Sequence, residues 1–196
     1  MMPTELLSRV AQILRRHDCR IVLAESCTAG LASALLGQIA GISAYLCGSA
    51  VTYRTQTKEA WLQIDANLLA QHTAVSQPVT EAMALSVLRL TPEADLSLAI
   101  TGHLGPDAPP EQDGQLFLCL ATRGRSIAQE PPVGPGELPP EPGTAAADSA
   151  ARVLVAGQRS LSRTGRAERQ HEAALLALEF LIETLERTGG SGKSPA

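Results

Sequence analysis

With 196 residues, 44% apolar and 18% charged, the chain has the size and composition of one well-packed globular domain. A formal net charge of −4, with the basic residues scattered, argues against an electrostatic footprint for nucleic acid. No apolar run reaches membrane-spanning length, and the opening MMPTELLSRV lacks the basic-then-apolar order of a signal peptide, so a cytoplasmic protein with neither nucleic-acid nor membrane partners is expected.

In chain order, the first predicted element is a helix over residues 4–17, where Leu6, Leu7, Val10, Ile13 and Leu14 recur at helical spacing behind Thr4 as N-cap. A short strand at 20–24 runs into the polar turn AESCTAG. A helix is predicted over 28–40, where Leu31, Leu35 and Ile39 stand four apart, followed by a strand at 44–53. Short helices are predicted at 57–62 and 66–71 and a longer one at 77–90. Apolar strands at 96–100 and 115–121 flank the turn-rich TGHLGPDAPPEQDG. A strand at 152–161 precedes an amphipathic helix at 166–187, whose stripe comprises Ala174, Leu175, Leu178, Leu181, Ile182 and Leu185. Between the last two strands, QEPPVGPGELPPEPGTAAADSA reads as a flexible surface loop because it lacks the apolar side chains a core needs.

Strands alternating with helices predict a single-domain α/β fold, a layered sandwich whose mixed, partly parallel sheet is flanked by helices, with the late strands adding antiparallel pairs at one edge. Cys19, Cys27, Cys47 and Cys119 form no C-x-x-C pair, so buried free thiols are expected and no metal site is.

In such sheets, ligands gather beyond the carboxyl ends of strands. Three polar segments follow apolar strands here, ESCT, TYRTQTK and TGHLGP, and together they offer Ser26, Thr28, Tyr53, Lys58, Thr101 and Gly102 to one pocket. Of two lysines against fourteen arginines, Lys58 is the one outside the tail GGSGKSPA. Lysine can lose its proton on burial and arginine cannot, so a lysine retained in an arginine-rich chain is a candidate base. A serine hydroxyl needs such a base to attack a carbonyl, and N–H groups at the start of the helix after ESCT are candidates for an oxyanion site. The plain alternative is that Ser26 and Thr28 cap a helix and Tyr53 is a half-buried strand residue. His103, in the third segment, is a further acid–base candidate, and His72 either orients a pocket loop or makes an ordinary turn contact.

The motifs AESCTAG, IAGISAY, GSAVTYRTQTK, HTAVSQPV and AITGHLGP, in this order, resemble the C-terminal domain family of the competence/damage-inducible protein CinA, whose members include nicotinamide-nucleotide amidases. The resemblance spans roughly residues 6–120 and resumes in the last helix. It implies a domain over 1–188, with the insert at 129–150 and a disordered tail at 189–196. It further implies hydrolysis of nicotinamide mononucleotide to nicotinate mononucleotide and ammonia, without cofactor or metal, in a homodimer or larger assembly. Ser26 would be the nucleophile, Lys58 its base and Tyr53 an assisting residue. Thr28, Gly30, Thr101, Gly102, Gly105 and Arg166 would contact the mononucleotide, with Arg163 and Arg169 competing for the place of Arg166.

The departures point to a second reading. Ala29 stands where the family has the first of two glycines, and His103, Asp107 and Asp113 occupy a loop where small or basic residues are usual. A catalytically inactive homologue serving as a nucleotide-binding or protein-interaction module is therefore the alternative.

Overall fold

The computed structural model describes residues 3–124 and 151–189. The insert expected at 129–150 lies outside the described residues, as does the expected tail beyond residue 189. Six helices and five strands run in the order α1 (Pro3–Arg16), β1 (Ile21–Glu25), α2 (Leu31–Leu36), β2 (Leu46–Val51), α3 (Thr55–Leu62), α4 (Ala66–His72), α5 (Gln77–Leu90), β3 (Leu96–Gly102), β4 (Gln115–Thr122), β5 (Arg152–Ser160) and α6 (Arg166–Gly189). Single 3₁₀ turns occupy Ile42–Ala44 and Pro110–Gln112.

The strands form one sheet in the order β2-β1-β3-β4-β5. β1 is parallel to both neighbours, and β3, β4 and β5 are antiparallel in succession, as the spacing of the late strands predicts. Because β1, β2 and β3 point the same way, their carboxyl ends share one edge of the sheet. That shared edge brings ESCT, TYRTQTK and TGHLGP together.

Alternation across the strands divides the core. Ile21 and Leu23 of β1, Leu96, Leu98 and Ile100 of β3, and Leu116, Leu118 and Leu120 of β4 face one way and pack against α1, α2 and α6. The opposite face is small, with Val22, Ala24, Ala99, Cys119 and Ala121 against α3, α4 and α5. Small side chains let α5 sit close enough for direct polar bonds: Ser97 Oγ donates to the Ala84 carbonyl at 2.7 Å, and the hydroxyls of Thr80 and Thr101 meet at 2.8 Å. The stripe on α6 is buried as predicted at Ala174, Leu178, Leu181, Ile182 and Leu185.

Two predicted helix starts are corrected. α1 begins at Pro3, so Thr4 lies inside its first turn rather than at the cap. α2 is six residues long and begins at Leu31, because Ala29 (φ 52°) and Gly30 (φ 93°) both take the left-handed conformation and delay it. Cys19, Cys27 and Cys119 are buried free thiols, whereas Cys47 on edge strand β2 is half-buried.

Candidate active site

Every residue of β1 is buried, ending in the carboxylate of Glu25. A buried charge is tolerated only when hydrogen-bonded, and this one accepts four bonds. They come from Thr28 Oγ1 (2.7 Å), the N–H groups of Ala32 (3.0 Å) and Ser33 (2.9 Å), and Ser49 Oγ (3.0 Å). Glu25 thus caps α2 from the strand before it, and holds β2 through Ser49. The first-turn donors of α2 at Ala32 and Ser33 are consumed in this way, which removes them from the expected oxyanion site.

Three expected binding residues are also committed elsewhere. The Thr28 hydroxyl is bound to Glu25, and its carbonyl accepts from Gln170 Nε2 of α6 at 2.9 Å. Thr101 is paired with Thr80 on the α5 face of the sheet. Gly30 is needed for its positive φ, and a Cβ there would sit 3.4 Å from Val51. Thr28, Gly30 and Thr101 therefore hold the turn and the sheet together; none lines the cavity described below.

Ser26 follows Glu25 and is 6% exposed. Its N–H extends the ladder to the Ile100 carbonyl at 3.1 Å, and its carbonyl accepts from Ala29 N–H at 3.1 Å, so its backbone is fixed from both sides. Lys58, on the second turn of α3, is fully buried. Its Nζ donates to Ser26 Oγ at 2.8 Å and to the Thr52 carbonyl at 2.7 Å. Thr52 is itself anchored, its N–H donating to the Glu25 carbonyl at 2.8 Å. Burial pushes the Lys58 ammonium down from 10.5 to about 8, where a neutral amine is accessible near neutral pH. Burial pushes the neighbouring Cys27 thiol up to about 12, which keeps it protonated.

Ser26 and Cys27 open onto a cavity of about 490 Å³, which is otherwise walled by Tyr53, Val75, residues 102–108 and Arg166. Gly102 and Gly105 therefore line the cavity. Tyr53 is 53% exposed, and its hydroxyl accepts from Arg166 Nη2 at 2.6 Å rather than bonding to Ser26 or Lys58. The structure separates the three arginines that the sequence left in competition. Arg169 is held in a bidentate pair with Asp113 at 2.7 and 2.8 Å, which keeps the Asp113 carboxyl below its usual range. Arg163 offers its carbonyl to Arg169 Nε. Arg166 reaches the cavity and bonds two neutral acceptors, the Tyr53 hydroxyl and the Gly105 carbonyl.

His103 lines the cavity, and His72 does not; the HTAVS segment contributes Val75 instead. Among the described residues, no group of three or more His, Cys, Asp or Glu side chains could hold a metal ion. No helix among them is long and apolar enough to cross a membrane. Glu25 and Thr52 are the site residues that sequence reasoning missed. The available signal for Glu25 was an acid closing the apolar run Ile21–Ala24.

The profile of the CinA C-terminal domain matches residues 3–137. The chain belongs to the CinA C-terminal domain family. A CinA-like protein of Citrifermentans bemidjiense is 40% identical over 122 residues, covering 61% of this chain and 29% of the relative. A putative competence-damage inducible protein of Lacticaseibacillus casei is 41% identical over 121 residues, again covering 61% and 29%. The chain thus spans less than a third of the length of these CinA relatives. Among solved structures, a CinA superfamily protein of Klebsiella pneumoniae superposes with a TM-score of 0.75 at 25% identity, covering 95% of this chain and 99% of that one. A competence/damage inducible protein of Agrobacterium tumefaciens gives 0.73 at 26% identity, covering 93% and 94%. In this CinA domain, the ESCT turn closes the buried strand, and the lysine five residues after V-T-Y meets its serine.

Proposed function

We propose that this CinA domain is an amidohydrolase that converts nicotinamide mononucleotide to nicotinate mononucleotide and ammonia. The observation that carries the reading is the fully buried Lys58 with its Nζ 2.8 Å from Ser26 Oγ at the floor of an open cavity. Three features support the chemistry. A lysine with its acidity raised by burial can accept a proton. The Thr52 carbonyl fixes the amine, leaving little reorganisation before reaction. Arg166, bonded to neutral acceptors alone, keeps a positive charge available for a phosphate.

The steps balance without a cofactor. Neutral Lys58 takes the Ser26 proton as Oγ attacks the carboxamide carbon, giving a tetrahedral oxyanion. Lys58 returns that proton to the amide nitrogen, the C–N bond breaks, ammonia leaves, and an ester on Ser26 remains. Water then attacks the ester, losing one proton to Lys58, which protonates Oγ as the carboxylic acid departs; that acid gives its remaining proton to the released ammonia or to solvent and becomes the carboxylate product. The Cys27 N–H, one residue beyond the nucleophile, is the nearest backbone candidate for oxyanion support, in place of the α2 donors that Glu25 occupies.

The test is ammonia release from nicotinamide mononucleotide by the intact chain, beside Ser26→Ala and Lys58→Ala variants with unchanged circular dichroism. Turnover lost by about a hundredfold or more in both variants is expected. A wild-type chain inert on nicotinamide amides would sink the amidase reading and leave the non-catalytic binding module. Self-association is proposed alongside: edge strand β2 carries no charge over Leu46–Val51, and Trp61 (59% exposed) and Leu90 (44%) border it. Sedimentation analysis checks it, with a monomer at all concentrations as the contrary result.

A further inference from the structure

Residues 103–108, in the connection from β3 to β4, wall the cavity, and the connection is closed at its neck by two backbone bonds. His103 N–H donates to the Gln115 carbonyl at 2.9 Å, and Gly114 N–H to the His103 carbonyl at 3.0 Å. Beyond the neck, an ion pair joins the returning arm of the loop to α6. Arg169 donates from Nη1 and Nη2 to the two carboxylate oxygens of Asp113 at 2.7 and 2.8 Å, and from Nε to the Arg163 carbonyl at 2.7 Å. All three guanidinium nitrogens and both carboxylate oxygens are engaged. The Arg169 side chain is 13% exposed and that of Asp113 38%, and neither residue lines the cavity.

Gly105, on the departing arm, rests on this pair. A Cβ there would lie 2.9 Å from Arg169 Nη1 and 3.1 Å from Asp113 Oδ1, so the Gly105 backbone packs directly on the bridging atoms, and its φ of 66° is a second reason for glycine. The Gly105 carbonyl accepts from Arg166, three residues before Arg169 on α6. Residues three apart on a helix are neighbours on one face, so Arg166 and Arg169 meet the loop from the same side. Among the described residues that line the cavity, Arg166 is the one arginine or lysine. Whatever fixes Gly105 therefore fixes one of the two anchors of that cation, the other being the Tyr53 hydroxyl.

Resting on the reading above, in which Arg166 meets the anionic group of the substrate, we infer that Asp113 and Arg169 are a positioning pair for that anion site: they hold Gly105 where its carbonyl fixes the Arg166 guanidinium on the cavity wall. Ion pairs near the surface usually contribute little, because holding two long side chains in one geometry costs entropy. This pair differs in its geometry. The fork is bidentate and its third nitrogen is tied to the Arg163 carbonyl, so Arg169 is held from both ends. The acid at position 113, a departure from the family pattern, thus supports the anion site through Arg169, which also neutralises its charge.

The test compares kcat and KM of the intact chain for nicotinamide mononucleotide with kcat/KM for nicotinamide riboside, the same amide without the phosphate. Asp113→Asn, nearly isosteric, removes the charge and half of the fork. KM for the mononucleotide should rise about three- to tenfold with kcat held within about twofold, and the riboside should change by less than about twofold. Arg169→Lys, which keeps the charge but loses the fork, should give a smaller rise in the same direction, and it replaces Asp113→Asn if that variant fails to fold. An equal change for both amides, a fall in kcat alone, or no change at all overturns the positioning role and leaves the amidase reading standing. If the wild type turns over neither amide, the amidase reading fails and the pair is judged on calorimetric binding of inorganic phosphate. Weaker phosphate binding by Asp113→Asn then upholds the pair, and equal binding, or none by the wild type, overturns it.

Discussion

The floor and the rim of the cavity are built by opposite rules. At the floor, Ser26 lines the cavity and Glu25, Thr52 and Lys58 lie buried behind it, with Lys58 bonded to Ser26 and Thr52 and Thr52 bonded to Glu25. At the rim, Tyr53 and Arg166 are exposed and are joined across 113 residues of chain by one hydrogen bond. The floor cannot rearrange without exposing a cation or stranding a carboxylate, so it is preorganised for proton transfer. The rim's bonds are to neutral acceptors and exchange with a ligand at little cost, so the rim is suited to selecting what binds.

The sharpest way to break the contrast is Lys58→Met. Turnover should fall by about a hundredfold or more, the scale of losing a general base. Stability should move the other way. With a folded value of about 8 against 10.5, the buried ammonium costs about 3 kcal/mol at neutral pH, and Met removes that cost while unpairing the Thr52 carbonyl, for a net gain of about 1–2 kcal/mol. Thermal unfolding together with ammonia release measures both, and a variant that is less stable as well as inactive would refute the floor as described.

The same group sets the pH dependence. Between the folded and unfolded values the unfolded chain binds more protons, so Lys58 adds stability as pH climbs from about 8 towards 10.5, and its penalty is constant below 8. Turnover, which needs the neutral amine, should rise about tenfold per pH unit below 8 and level off above it. A profile flat from pH 6 to 9, within about twofold, would exclude Lys58 as the base.

At the rim, Arg166→Ala should raise KM by about 10- to 100-fold and leave kcat nearly unchanged, as removal of a charged hydrogen bond made equally in ground and transition states requires. Tyr53→Phe, which removes one neutral acceptor from Arg166, should shift KM by no more than about tenfold. A collapse of kcat in the Tyr53→Phe variant would move Tyr53 from the rim to the floor. The smallest expected effect is Ala29→Gly. Relief of the left-handed backbone at φ 52° should outweigh the added chain entropy and raise the unfolding free energy by about 0.5–1 kcal/mol, read by denaturant titration.

Much of this was legible in the chain. The α5 boundaries at Gln77–Leu90 follow directly from apolar spacing and a Pro at the helix start, and five of the six positions of the predicted α6 stripe are buried, Leu175 being only partly so. Lys58 stood out by being a lysine at all. The α2 start differs from the expected one because Ala reads as a helix former, and only the glycine that the family carries at position 29 hints at the left-handed backbone that Ala29 takes. Thr28 and Thr101 both adjoin the right strand ends, yet the Thr28 hydroxyl turns back to Glu25, and strand alternation points Thr101, like Ala99, at α5.

Sequence alone determined the element order and the residue types able to run serine–lysine chemistry, since local periodicity and composition encode these. Only the tertiary structure decided which polar groups face the cavity. It bound Thr28 to Glu25, Thr101 to Thr80 and Arg169 to Asp113, and left Ser26, His103 and Arg166 on the cavity wall. The physical reason is that a hydroxyl or guanidinium goes to whichever acceptor folding brings within about 3 Å, and those acceptors arrive from elements that no local pattern connects.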